Sequence, residues 1–238
     1  MVHQDHGLHD HGESDSAIRR RRLVVAGVGA AGTGLLGMSL STKPGSSQFY
    51  GLTLGVAATW IAGGLASGPL HLGWIQDRNG TLRRPVLTPV VIGAGAFATF
   101  YGCALTAREI PVLNRAISNV LTYADRGSGP FVLLTTLANG AAEEVFFRGA
   151  VYAAAGDRHP VVLSSAVYAL ATIATRNPTL VLASVVMGAL FGLQRRATGG
   201  IQAPMLTHVT WSTLMLRFLP PLFASRPTSD HRTPPARH

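Results

Sequence analysis

Seven stretches of this chain run for 16 to 23 residues without one charged side chain: 23–42, 50–70, 85–107, 127–142, 160–175, 178–194 and 197–216. No other feature limits the fold as much. About 20 apolar residues carry a helix across the hydrocarbon core of a bilayer. In that medium every backbone N–H and C=O must be satisfied within the protein, as a helix does by itself. The expectation is an all-α, polytopic bundle of about seven membrane spans, the runs that begin at Pro160 and Pro178 being among the shortest.

Composition agrees: 47% of the 238 residues are hydrophobic and 13% charged, too apolar for an ordinary soluble domain. The net charge of +9 does not point to nucleic acid. Its arginines sit in short clusters at the ends of apolar runs (19–22, 83–84, 195–196), where they anchor and orient helices. With the N-terminus inside, Arg78, Arg83, Arg84, Arg158, Arg195 and Arg196 fall on the inner side, while Arg108 and Arg115 fall outside. Cys103 is the single cysteine, so neither a disulfide framework nor a CxxC site exists. Three regions are expected: a disordered polar tail over 1–22, a transmembrane bundle over 23–219, and a disordered Pro- and Arg-rich tail over 220–238. His3, His6, His9 and His11 in the first tail form a loose tract with no fixed geometry.

Two local patterns are read structurally. The arginines at 19–22 precede a run longer than a signal-peptide core, which ends without a small-x-small cleavage site, so an uncleaved first helix is expected. Gly27-Val-Gly29-Ala-Ala-Gly32 matches a dinucleotide fingerprint in form. No acid follows before Asp77, however, and the flanks are continuously apolar. These glycines, like Gly188-x-x-x-Gly192, read as close helix packing in lipid. Between the third and fourth runs, Leu113, Ile117, Val120 and Leu121 recur at helical spacing, as in a short amphipathic helix at the interface.

The chemistry is expected at Glu143 and Glu144. Of eleven acidic residues they alone lie inside long hydrophobic sequence, where a carboxylate is costly and has a functional role by default. Arg148, four residues past Glu144, shares its face on a helix and can pair with it. Glu143 is offset by about 100° and need not compete for that arginine. Held and neutralised, one acid leaves its neighbour available as a base. His208 is the only histidine well inside an apolar run, and Ser212 puts a hydroxyl on the same face. Matched depths predict that Glu143, Glu144, Arg148 and His208 converge in one buried cavity opening to the cytosolic side.

Glu143-Glu144-Val-Phe-Phe-Arg148 followed by His208 resembles the intramembrane CAAX-protease and bacteriocin-processing (CPBP) group, over about residues 125–220. That group's signature is Glu-Glu-x-x-x-Arg, an aromatic-x-x-x-His motif, and His-x-x-x-Asn on a later helix. The first motif matches in full. In the second, Tyr168 is the aromatic and Thr172 stands at the histidine position; in the third, Ser212 replaces asparagine. The resemblance implies an intramembrane endopeptidase, described for the group as a metalloprotease. Glu143 would be the general base on water, Glu144 and Arg148 its support, and His208 with Ser212 the oxyanion or metal partner. Phe147, Tyr168 and Thr172 would line the substrate pocket, and Thr172 would point at Glu143.

Zinc on His208 and Glu143 is one option for a cofactor; a glutamate-driven reaction without tightly bound metal is the other. Three functions remain in order: the endopeptidase, a pseudoprotease acting as a membrane binding protein, and a transporter or proton relay. Expected partners are the lipid bilayer and a peptide or protein substrate within it, with no nucleic acid. The expected location is the plasma (inner) membrane of a bacterium.

Overall fold

The structure, a computed structural model, describes residues 15–77 and 79–224. The histidine tract at 3–11, Arg78 and residues 225–238 lie outside the described residues. Every apolar run becomes a helical rod. In chain order the helices are α1 (Asp15–Ser39), α2 (Ser47–Ser67), α3 (Leu87–Ala107), α4 (Pro111–Asp125), α5 (Gly129–Glu143), a π-helical segment (Glu144–Val151), α6 (Tyr152–Ala155), α7 (Pro160–Ile173), α8 (Pro178–Thr198) and α9 (Gln202–Phe223). Four helices, over 16–39, 47–67, 87–107 and 178–198, are long and apolar enough to cross a membrane by length and composition. The α7 helix is apolar but shorter. Leu65, Val162, Leu170 and Leu182 point outward and are exposed, as expected of an integral membrane protein whose solvent is lipid.

Two boundaries differ from the sequence expectation. Helix α1 starts at Asp15, so the arginines at 19–22 are helical and the polar tail does not extend to residue 22. Helix α9 runs through Pro220 and Pro221 to Phe223, past the expected end of the bundle at 219.

Helix α1 packs along α2, α7 along α8, α3 along α9, and α5 fits against α2 and α9. One end of the bundle gathers the α1 N-terminus, the α2–α3 connection and the α6–α7 and α8–α9 loops. There Arg22 Nε donates to the Ala154 carbonyl at 3.1 Å, and the Trp74 N–H to that of Thr198 at 2.8 Å. A two-residue hairpin, β1 (Ile75–Gln76) with β2 (Leu82–Arg83), lies in the α2–α3 connection. Gly73, at φ +85°, lets that connection lie backbone to backbone against Gly200. The opposite end holds α4, whose Tyr123 hydroxyl donates to the Leu40 carbonyl at 2.6 Å. Alternating helix directions from one end to the other follow from these contacts.

The Gly27 to Gly32 stretch is mid-helix, with no sheet near it. A Cβ on Gly32 would overlap the edge of the Trp60 ring. Trp60 is fully buried and stacked on Phe146 at 4.6 Å, so it has nowhere to move. Gly192 is similar: a Cβ there would lie 2.9 Å from Val161 Cγ1 on α7. The glycines set how closely the helices approach. Gly34, two residues past Gly32, faces open space. Gly32→Ala should therefore cost about 1–3 kcal/mol through overpacking, whereas Gly34→Ala should be neutral or slightly stabilising. Thermal unfolding of both variants in detergent micelles checks the contrast; equal melting temperatures would contradict it.

Candidate active site

Glu143 ends α5 and Glu144 opens the π-helical segment. The sequence reading assumed a continuous α-helix here. A π turn bonds residue i to i+5 and is wider, a form that recurs at functional sites. Widening it reduces the angle between adjacent side chains below the 100° of an α-helix. Both carboxylates reach one ring on α9. His208 Nδ1 lies 2.9 Å from Glu144 Oε1, and Nε2 lies 3.9 Å from Glu143 Oε2.

Arg148 closes the arrangement. Its NH1 donates to Glu144 Oε1 at 3.2 Å, and both side chains are completely buried. Its NH2 donates to the Gly188 carbonyl on α8 at 3.2 Å. The guanidinium carbon sits 4.6 Å from the Tyr168 ring centre and 5.0 Å from that of Phe191. Arg195 Nε donates to the Arg148 carbonyl at 3.0 Å. Glu144 is thus fixed by a guanidinium on one side and an imidazole on the other. An ionised carboxylate only accepts hydrogen bonds, so His208 Nδ1 carries the proton in that contact. The ring is stacked on Phe191 at 4.8 Å and 23°. Gly140 faces the ring, and a Cβ there would touch His208 Cδ2 at 3.4 Å.

Glu143 has a different environment. Its side chain keeps 16% exposure, against none for Glu144. The Tyr168 hydroxyl donates to its Oε2 at 2.7 Å. The sequence reading had put Tyr168 in the substrate pocket; here it grips the carboxylate directly. Phe147 is core, packed on Trp60, Phe146 and Tyr168. Thr172 is buried, and its hydroxyl donates to the Tyr168 carbonyl on its own helix at 2.9 Å. No hydrogen bond joins it to Glu143 or His208. Ser212 is buried one turn beyond His208. Gln194, Thr207 and the Pro89 carbonyl form a further relay, with bonds of 2.7 and 2.9 Å tying α8, α9 and α3 beside the histidine.

The donor set does not fit a catalytic zinc, which takes three protein ligands and a water. His208 Nε2 and Glu143 Oε2 face one another, but Glu144 Oε1 is engaged by Arg148 and by His208 Nδ1. Its Oε2 is buried without a partner. Among the described residues no three His, Cys, Asp or Glu side chains are placed to hold a metal ion.

Fold and cluster together define a class: a helical membrane protein with a buried Glu–Glu–Arg–His centre. Residues 126–214, which carry every residue of that centre, match the family described as type II CAAX prenyl endopeptidase Rce1-like. Over this segment the chain is similar to the CAAX-protease type that its first motif resembles. No curated protein and no solved structure matches the chain.

Removing one partner from a buried ion pair leaves an uncompensated charge, at a cost of about 3–5 kcal/mol. Arg148→Met should lose that much stability, and Glu144→Gln combined with Arg148→Met should recover part of it. Chemical unfolding of the three proteins in mixed micelles measures both; a double variant less stable than Arg148→Met would contradict the pairing.

Proposed function

We propose that the chain is an intramembrane endopeptidase in which Glu143 activates water for attack on a peptide carbonyl. The observation that carries the reading is the 3.9 Å gap between Glu143 Oε2 and His208 Nε2. Two hydrogen bonds of about 2.8 Å meeting at one oxygen span such a gap. A water held there touches a carboxylate that can take its proton and a ring nitrogen beside the developing oxyanion.

Charge balance sets how many protons the proposed site holds. Two carboxylates face one guanidinium, leaving one negative charge among buried groups, which is costly. One more proton neutralises the cluster. The proposed reaction has it on His208, which makes both ring nitrogens donors, Nδ1 toward Glu144 and Nε2 into the gap.

In the proposed reaction, Glu143 removes a proton from water as its oxygen bonds to the carbonyl carbon. The oxyanion forms where His208 Nε2–H donates, with the Ser212 hydroxyl one helical turn away. Protonated Glu143 then gives its proton to the amide nitrogen, and the C–N bond breaks. Tyr168 holds the carboxylate in place; Glu144 and Arg148 hold the imidazole. No step passes through a metal.

The substrate class implied by the family is a peptide embedded in the membrane, and the proposed location is a bacterial plasma membrane. A pseudoprotease is the second reading, and the observation favouring it is Thr172. That residue offers no imidazole, and its hydroxyl is committed to its own helix.

The test is a census of new peptide N-termini after the purified protein is mixed with membranes from cells lacking it. The wild-type chain should generate cleavage products, and Glu143→Gln should slow their appearance by about 10²-fold or more. Products formed equally fast by Glu143→Gln, or none formed by the wild-type chain, would overturn the endopeptidase reading.

A further inference from the structure

A second recess lies away from the polar centre. It is an open groove of about 500 Å³ between α1 and α7, walled by Val25, Ala26, Ala30 and Thr33 on one side and Val167 and Leu170 on the other. Its floor is Phe147 and Ala154, and Arg22 stands at one end. The recess exists because α1 presents small side chains to α7, with Ala26 and Ala30 exposed within it.

From Arg22 to Thr33 at 1.5 Å per residue the groove runs about 16 Å along α1. Half of a hydrocarbon core about 30 Å thick is nearly the same length. The cationic end therefore lies at headgroup level when the other end reaches the bilayer midplane. Arg22 donates from Nε to the Ala154 carbonyl and is exposed. Arg19, one turn earlier on the same face, is exposed as well. Asp157 and Arg158, adjacent in the loop past α6, carry opposite formal charges and are both exposed.

We propose that this groove is a binding site for one acyl chain of an anionic phospholipid, with its headgroup phosphate on Arg22 and Arg19. Length, apolar lining and cationic mouth each match a part of that molecule. A chain seated there covers Phe147, whose ring lies 4.9 Å from that of Tyr168. The site is separate from the polar centre and stands whether or not the protein cleaves peptides.

Lipid retention by the full-length protein, measured by native mass spectrometry from micelles, tests the proposal. The probes are phosphatidylglycerol, phosphatidylcholine of the same chain length, and inorganic phosphate. A basic side chain near anionic lipid favours binding by about fivefold, so the wild-type protein should retain phosphatidylglycerol over phosphatidylcholine by at least about that factor. Arg19→Gln and Arg22→Gln should each remove most of this preference while leaving chain binding. Ala30→Trp fills the groove and should abolish retention of both lipids. Ala26→Phe, with a smaller ring, carries the same expectation if Ala30→Trp fails to fold. Undiminished phosphatidylglycerol on a folded groove-filled variant would overturn the site. So would equal retention of the two lipids by the wild-type protein, or displacement of phosphatidylglycerol by inorganic phosphate.

Discussion

The buried contact of Arg148 with Glu144 is the constraint on which the rest of the centre depends. The guanidinium has no exposure; NH1 and NH2 find acceptors in different parts of the fold, while Nε is buried without one. Glu144 is on its own segment, and the Gly188 carbonyl belongs to α8. The rings of Tyr168 and Phe191 close on the cation from α7 and α8. A Cβ on Gly188 would lie in van der Waals contact with Arg148 NH2, at 3.4 Å. One side chain thereby sets the spacing of the helices that carry Tyr168 and Phe191, and Glu144 passes the constraint on to His208.

From that order follows the division of labour between two adjacent, chemically identical acids. Glu144 is completely buried and held from both sides, by Arg148 and His208. Glu143, partly accessible and held by a phenol, retains a free face toward the imidazole. The two acids sit where α5 gives way to the π-helical segment. Conversion of that arrangement into peptide hydrolysis is our proposal; the arrangement itself is a matter of distances.

Much of this was legible from the chain. Uncharged runs located the helices, because a membrane leaves the backbone few alternatives. The rarity of buried acids singled out Glu143 and Glu144, and the interval of four to Arg148 predicted the pair. What escaped the sequence depended on the third dimension. The widened turn has no mark in Glu-Val-Phe-Phe-Arg that separates it from an ordinary helix. Tyr168 was recognised as an aromatic near the pocket, but its bond to Glu143 depends on the rotation of α7. The role of Phe191 beneath His208 left no signal beyond one aromatic among many apolar residues. Gly140 offered a faint one, a small residue one turn before the acid pair. Helix ends were misjudged where composition changes gradually, at Asp15 and at Pro220 and Pro221, since a polar or proline-containing turn continues a helix when its neighbours support it.

The most direct measurement is the nitrogen-15 spectrum of His208 in the intact protein in lipid, recorded with selectively labelled histidine and assigned by His208→Gln. The account predicts that Nδ1 carries a proton hydrogen-bonded to a carboxylate, and that this signature is lost in Glu144→Gln but kept in Glu143→Gln. A bare Nδ1, or a signature unchanged by Glu144→Gln, would contradict the claim that the buried Arg148–Glu144 pair holds the imidazole in place.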